Sequence, residues 1–330
     1  MEKTNVSYED FISVQGQAVH VKPDPVSPAR VVVVMCFSLF FIYVNSVMFF
    51  TVRSKQTFSE SSRYILFSNI LIGDSFHLLG LAVLYLFSVG NLHLISALCN
   101  LFIMIPSVTF SISPLNLAVM SMERYVAICF PFQHTEFVTK KRAYLSIAVV
   151  WLLSSINFII DILYKIVVDS NSLTTHITCR RRMLYIAKWQ VKLSQMFNGL
   201  YFAIISLILV YTYIGIIVAA RSVSTDKKSA TKAHRTVLLH LIQLGLCLLS
   251  FLFSTLNRMI ELLQADRALF LHLQFLNFFS LIILPRCLSP LIYGLRDSAF
   301  RPLFLGYFKC NLSTVNPVVI TDKKRCISMK

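Results

Sequence analysis

Seven long apolar stretches divide this sequence, and they restrict the possible folds more than any other feature. Each one is at least as long as the roughly 20-residue helix that crosses the hydrocarbon core of a bilayer. Unpaired backbone groups are not tolerated in lipid, so each stretch is predicted to be an α-helix. The stretches are residues 29–52, 64–87, 94–129, 143–162, 193–220, 236–256 and 268–293. The predicted fold class is therefore an all-α membrane protein, a seven-transmembrane-helix bundle at 29–293 with an N-terminal part, 1–28, and a tail, 294–330.

The composition agrees with the bilayer as the solvent. The chain is 56% hydrophobic and only 14% charged, which leaves too little polar surface for a soluble globule. Its net charge of +16 could suggest nucleic acid, but the basic residues stand in short clusters between the apolar stretches. The sequence contains no glycine-rich phosphate loop, metal-like cysteine spacing, His-Glu-x-x-His helix or Gly-x-Ser-x-Gly turn. We therefore expect no enzyme, no cofactor, no metal and no nucleic-acid partner.

The distribution of Lys and Arg predicts the orientation in the membrane. Cytoplasmic connections carry an excess of basic residues. The connections after the first, third and fifth stretches and the tail are rich in them, whereas 163–192 is a basic connection on the opposite side that weakens the bias without reversing it. A multi-pass protein of the plasma membrane with an extracellular N-terminus is expected, without a cleaved signal peptide. Asn5 fits the glycosylation pattern that this orientation allows.

The residues after the last stretch predict a short amphipathic helix on the membrane surface. Apolar residues recur there at helical spacing beside basic residues. Cys310 follows directly and is a candidate for palmitoylation. A disordered basic tail is the alternative. The apolar positions are Phe300, Leu303, Phe304, Tyr307 and Phe308.

The third stretch ends in an ionisable pair, Glu123 and Arg124, within the sequence Met-Glu-Arg-Tyr-Val-Ala-Ile-Cys. Such a pair at the end of an apolar helix is expected at the cytoplasmic boundary, where the two groups can neutralise each other. Snorkelling of an interfacial arginine is the simpler alternative. The acidic-Arg-Tyr motif followed by Pro131 resembles the rhodopsin-like G-protein-coupled receptors, and most closely the odorant receptors of fish and amphibians.

Other positions favour the olfactory branch of that class. The sixth stretch reads Leu-Leu-Ser-Phe at 248–251, without the tryptophan and proline of most of the class, and odorant receptors also lack both. His240 occurs at the same offset as in odorant receptors. Segments 61–67 and 284–293 look most like a fish subgroup. The resemblance covers the seven helices and not the ends of the chain.

The resemblance implies roles for particular residues. Arg124 is implied to be held in the resting state, with Glu123 as its acidic partner, and released to receive a G protein. A disulfide between Cys99 and Cys179 is implied, on the oxidising side of the membrane. The implied switch residues are Tyr125, Tyr211, Ser289, Pro290 and Tyr293, and the implied polar core contains Asn45, Asp74 and Ser113.

Arg286 is a departure from the pattern of the class. An aspartate at membrane depth, such as Asp74, needs a partner. The resemblance implies a sodium ion there, held partly by Ser113. Arg286 lies four residues before Pro290, one turn outward on a similar face. The hypothesis is that Arg286 reaches Asp74 and replaces the ion, and the alternative is that it pairs with backbone carbonyls or water.

Helical phase and the resemblance together predict a ligand site between the outer halves of the helices. Pro106 stands where amine receptors carry an acidic residue, so a neutral or acidic small molecule is expected as the odorant. The predicted lining residues are Ile103, Ser107, Phe110, Ser111, Gln195, Met196, Phe251, Thr255, Arg258, Phe275 and Phe279.

The expected function is that of an odorant receptor that activates a heterotrimeric G protein, by resemblance the stimulatory olfactory type that raises cyclic AMP. Two alternatives stay open at this point. One is a non-olfactory rhodopsin-like receptor for a lipid or small metabolite. The other is a membrane transporter, although the sequence lacks the internal repeat typical of transporters. The residues do not determine the oligomeric state.

Overall fold

The computed structural model describes residues 27–90, 92–169, 173–179, 184–223, 242, 245–246, 248–262, 267–297 and 299–308. Nearly all of them are helical. The helices are α1 (Ser27–Ser54), α2 (Gln56–Ser59), α3 (Ser62–Val89), α4 (Ser96–Thr109), α5 (Ile112–Cys129), α6 (Pro131–Phe137), α7 (Lys140–Val168), α8 (Lys188–Val223), α9 (Phe253–Leu262), α10 (Arg267–Phe278), α11 (Leu284–Arg296) and α12 (Phe300–Phe308). A 3₁₀ turn covers Ser250–Leu252, a π-helical turn covers Phe279–Ile283, and the strands are β1 (His93–Ile95) and β2 (His176–Thr178).

Within the described residues, six helical segments are long and apolar enough to cross a membrane. They are Pro28–Ser54, Ser62–Val89, Ser96–Cys129, Lys140–Val168, Lys188–Ala219 and Ala268–Ile292. They correspond to six of the seven predicted stretches. The remaining predicted stretch, 236–256, is described only in part, and its described end continues through the 3₁₀ turn into α9.

The fourth and fifth membrane spans, α7 and α8, extend further than predicted. α7 continues to Val168 rather than ending at residue 162, and α8 begins at Lys188 rather than at residue 193. Polar residues at these ends are buried among partners rather than exposed in a loop. The Lys165 ammonium group donates to the Ser96 hydroxyl over 2.9 Å, and the Gln190 amide donates to the Asp161 carboxylate over 3.1 Å. A helix end predicted from hydropathy therefore falls too early where charged side chains have hydrogen-bond partners inside the bundle.

The third span is two helices, α4 and α5, separated at Phe110 and Ser111. Pro106 lies inside α4, and Pro114 lies in the first turn of α5, where the missing N–H is tolerated. α3 approaches this span closely through Gly80, where an added Cβ would lie 2.8 Å from the Cδ of Pro106. Small residues allow such close helix contacts in membranes.

The opposite end of the bundle from Arg124 is tied together by a disulfide and a pair of strands. Cys99 and Cys179 are bonded, with Cα atoms 5.4 Å apart, so the predicted disulfide is present. β1 and β2 pair antiparallel, with Leu94 opposite Ile177. Together these links hold the described part of the connection between α7 and α8 against the start of α4.

The helix expected after the last span is present as α12. Phe300 and Phe304 are buried against the bundle, and Phe308 and Tyr307 contact aromatic residues of α1. Pro302 occupies the first turn of α12, where it does not interrupt the helix. Asn5 and Cys310 lie outside the described residues, so glycosylation and palmitoylation stay predictions.

Candidate functional site

A buried ion pair lies at the centre of the bundle. The Arg286 guanidinium donates to the Asp74 carboxylate over 3.1 Å, and their side chains are 1% and 0% exposed. The Ser113 hydroxyl donates to the same carboxylate oxygen over 2.5 Å. The ion pair therefore joins the second, third and seventh spans without access to solvent.

The break in the third span supplies a second acceptor for Arg286. In a continuous helix the N–H of residue 114 would donate to the carbonyl of Phe110, but Pro114 has no N–H. This carbonyl accepts a hydrogen bond from Arg286 instead. The guanidinium also lies 5.7 Å from the centroid of the Phe110 ring, within the range of a cation–π contact.

The seventh span places Arg286 through an irregularity of its own. The π-helical turn ends at Ile283, and Pro285 follows in the first turn of α11. Single π turns inside helices change the direction of the following side chains and are frequent at functional sites. The polar core continues at the first span, where the Asn45 amide donates over 3.3 Å to the hydroxyl of Ser75, the neighbour of Asp74 in α3.

Aromatic residues form a cluster around Phe110, next to the ion pair. Its ring meets the ring of Phe251 edge to face, with centroids 5.3 Å apart, and Phe202 lies 6.4 Å from Phe251. His77 lies 6.2 Å from Phe110 and shares a hydrogen bond of 3.0 Å with Thr109. Edge-to-face contacts of this kind stabilise aromatic pairs beyond the area that they bury.

The structure brings only some of the predicted lining residues together. Phe110 and Phe251 are in contact, and Ser111 is buried beside them in the break of the third span. The buried Ser107 hydroxyl has no hydrogen-bond partner within the described residues. Gln195 is half-buried. Ile103 packs instead with Cys99 and Phe158 near the disulfide.

Other predicted lining residues lie elsewhere. Met196 is 71% exposed, on the opposite side of α8 from its buried face, so the helical phase assigned to it was wrong. Thr255 is also exposed. Phe275 and Phe279 stack on each other and face the first helix, where Arg30 lies 5.5 Å from the ring of Phe275. The side chains of Arg258, Ser289 and Tyr293 are outside what the structure describes.

Sequence reasoning missed Phe202 and His77 as members of the aromatic cluster. His77 lies one turn after Asp74 on α3, so helical spacing indicates that it shares the inward face. Phe202 offers no such signal, because the chain contains 27 phenylalanines and most of them must face lipid or neighbouring helices.

At the other end of the bundle, the side chains of Glu123 and Arg124 are partly buried near the end of α5. The hydroxyl groups of Tyr125 and Tyr211 are 3.2 Å apart and link the third span to α8. Gly215 makes room for this contact, because a Cβ added to it would lie 2.3 Å from the ring of Tyr125.

Comparison with known proteins identifies the class. Residues 44–293 match the family of seven transmembrane receptors described as the rhodopsin family. The chain therefore belongs to the rhodopsin family of seven-transmembrane receptors, and the predicted fold class is confirmed. It is similar to Odorant receptor 131-2 of Danio rerio, with 34% identity over 290 residues, 86% of this chain and 87% of the relative. The family consists of receptors and not enzymes, and the odorant-receptor resemblance is confirmed.

Proposed function

We propose that this chain is an odorant receptor of the plasma membrane, with an extracellular N-terminus, that binds a small molecule within the helical bundle and activates a heterotrimeric G protein. The similarity to Odorant receptor 131-2 over most of both chains supports the ligand class. The structural observation that carries the proposal is the double role of Phe110. Its ring contacts the aromatic cluster, and its carbonyl accepts a hydrogen bond from the buried Arg286.

The two contacts of Phe110 connect the aromatic cluster, where the ligand binds, to the buried ion pair. A ligand that packs on the rings of Phe110 and Phe251 moves the break in the third span if it fits one arrangement of the bundle better than another. Binding shifts the equilibrium only through such a difference in affinity. Any movement of the Phe110 backbone changes a hydrogen bond to Arg286, and thereby the contact with Asp74.

The chemistry of the cluster favours a neutral or acidic ligand. The rings of Phe110, Phe251 and Phe202 supply apolar surface, and the Ser107 hydroxyl is a buried polar group able to orient a ligand. Pro106 offers no carboxylate to a protonated amine. The one carboxylate of the nearby core, Asp74, is already paired with Arg286 among the described residues.

In this receptor the guanidinium of Arg286 takes the place of a sodium ion beside Asp74. The cation is covalently part of the seventh span, and it satisfies the carboxylate together with the Ser113 hydroxyl. Unlike a bound sodium ion, the guanidinium group cannot dissociate into the solvent. The resting arrangement is therefore expected to be independent of sodium.

At the cytoplasmic end, release of Arg124 from Glu123 opens the site for the G protein. Tyr125 and Tyr211 link the third span to α8 beside this site. By resemblance the partner is the stimulatory olfactory type, and the signal is a rise in cyclic AMP.

The test is expression with an olfactory stimulatory G protein and a cyclic AMP reporter, and a screen of water-soluble odorants. Once an agonist is found, Phe110→Ala is expected to reduce its potency at least about tenfold, since a buried aromatic contact contributes over 1 kcal/mol. Phe102→Ala is the matched control, because Phe102 lies in the same span but packs against Phe87. Equal losses in both variants would argue against a site at Phe110.

The same screen separates the alternative function. A receptor that ignores odorants and responds to lipids or small metabolites, with the same dependence on Phe110, would be a non-olfactory member of the family.

A further inference from the structure

Arg30 lies in the first turn of α1, at the end of the bundle that carries the disulfide, and it contacts the seventh span. Its Nη1 donates a hydrogen bond to the carbonyl of Leu271 over 3.4 Å. Its guanidinium also lies 5.5 Å from the centroid of the Phe275 ring, within the range of a cation–π contact. Both contacts are with α10, so the side chain extends from the first span toward the seventh.

The second terminal nitrogen of this guanidinium, Nη2, has no such acceptor. It is buried, and it donates no hydrogen bond to any residue that the structure describes. No carboxylate of those residues lies within ion-pair distance of Arg30 either. A buried charged donor without an acceptor is unfavourable, and a bound anion that supplies the acceptor removes this cost. One edge of the guanidinium is therefore available to an anion.

The guanidinium lies at the rim of the bundle and not in its core. The Arg30 side chain as a whole is half-buried. Its neighbour Ala29 in α1 is exposed, and so are Leu269 and His272, which flank Leu271 in α10. A small molecule can therefore approach Arg30 from outside without separating the helices of the core.

Aromatic rings continue from Arg30 along the seam between the first and seventh spans. Phe275 and Phe279 stack with their centroids 6.1 Å apart, and Phe37 meets Phe279 edge to face at 5.1 Å. None of these three rings belongs to the cluster around Phe110. The seam thus combines one guanidinium with an apolar, aromatic wall, which is the composition of a site for a small molecule with one charged group.

We propose that Arg30 and the adjacent rings form a second binding site, at the outer rim between the first and seventh spans, for the carboxylate of a small aromatic acid. The Nη2 group of Arg30 donates to the carboxylate, and Phe275 and Phe279 pack against the ring of the acid. A carboxylate fits better than a neutral group, because hydrogen bonds between ionised partners are roughly twice as strong. The site goes beyond the proposed function, since it requires neither Phe110 nor a G protein.

The experiment measures binding of benzoate to the full-length receptor in phosphatidylcholine nanodiscs by saturation-transfer NMR, with empty nanodiscs as the blank. Benzamide has nearly the same shape as benzoate but no charge, and the wild type is expected to bind it at least about tenfold more weakly. Arg30→Gln is expected to weaken benzoate binding at least about tenfold, because a hydrogen bond to a charged group is lost. The same variant should leave the weak binding of benzamide within about twofold of wild type.

Two further variants separate the geometry of the site from its charge. Arg30→Lys keeps the charge but loses the planar group, so benzoate binding should weaken at least about threefold; this variant carries the test if Arg30→Gln does not fold. Arg53→Gln is the matched control, because Arg53 lies at the other end of α1, with its guanidinium 5.6 Å from the ring of Phe49. It removes the same charge and the same kind of ring contact, and should leave benzoate affinity within about twofold of wild type.

Three results would overturn the site: benzoate affinity that is the same in Arg30→Gln and wild type, benzamide binding as tight as that of benzoate, or no benzoate binding at all. The last result is expected if a lipid phosphate occupies the guanidinium. Binding is measured without a G protein, which keeps the two proposals distinguishable. A receptor that activates no G protein but binds benzoate through Arg30 would refute the proposed function and support the site, and a receptor that responds to odorants but binds no benzoate would do the reverse.

Discussion

Removing the charge of Asp74 is expected to destabilise the receptor strongly, because it leaves Arg286 charged and buried. In Asp74→Asn the side chain keeps its size and can still form hydrogen bonds. The guanidinium, however, loses the only carboxylate within hydrogen-bond distance among the described residues. The Phe110 carbonyl remains as an acceptor but does not neutralise the charge.

The distance between the charges gives the size of the effect. Two unit charges 3.1 Å apart attract each other by about 5 kcal/mol at an effective dielectric constant of roughly 20. Loss of one partner from a buried pair typically costs about 3–5 kcal/mol, whereas replacement of both partners by apolar groups is often nearly neutral. The double variant Asp74→Asn with Arg286→Met should therefore recover about 2 kcal/mol or more of the loss.

The assay is thermal unfolding of purified receptor in nanodiscs, for the wild type, both single variants and the double variant. Ser121→Ala is a control, since its buried hydroxyl donates only to the carbonyl of Ala118. This control is expected to lower the unfolding free energy by about 1 kcal/mol or less. A coupling energy between Asp74 and Arg286 below about 1 kcal/mol would refute the reasoning, because contacting buried charges should exceed it.

Three further predictions concern the rest of the bundle. Agonist potency should not change when sodium is exchanged for another monovalent cation at constant ionic strength, and a dependence on sodium would mean that the buried ion pair does not replace the ion. Gly215→Ala should displace the ring of Tyr125 and cost about 1–3 kcal/mol, with reduced G-protein activation at normal surface expression, whereas Gly199→Ala, which has open space around it, should be silent. Cys99→Ser and Cys179→Ser should each destabilise the receptor, by up to about 4 kcal/mol for a loop closed over a sequence separation of 80, and the double variant should be no worse than either single one.

The sequence alone was sufficient for the helices whose apolar runs are uninterrupted. The first and second spans differ from their predicted ends by only two residues at each side, because three of these ends are serines and the fourth, Val89, is followed by Gly90. The fourth was underestimated by six residues at its C-terminal end, because Lys165 reads as part of a loop by hydropathy. Its partner, the Ser96 hydroxyl, belongs to another helix, and no local pattern in α7 reveals it.

The sequence predicted those features of the site that follow from the residue spacing within a single helix. The contact between Arg286 and Asp74 followed from the helical phase of Arg286 and the rarity of charges at membrane depth. The hydrogen bond to the Phe110 carbonyl did not follow, because it requires both the break at Pro114 and the π turn before Arg286. The error at Met196 has a similar origin, since the rotation of α8 is fixed by packing against its neighbours.

Asp297 illustrates a signal that was present in the sequence but not used. An aspartate three residues before an apolar helical run is a typical N-cap, and it predicts the start of α12. Its second role, as an acceptor for Arg63, joins residues 234 positions apart in the chain. Only the three-dimensional arrangement reveals that contact.

Agonist-stimulated nucleotide exchange on a stimulatory G protein, with purified receptor in nanodiscs, is the most direct test of the receptor mechanism. The wild type should accelerate exchange when an odorant agonist is added, and Arg124→Ala should bind the same agonist without accelerating exchange. Undiminished acceleration by Arg124→Ala would contradict the mechanism, because the site that admits the G protein would then not depend on that arginine.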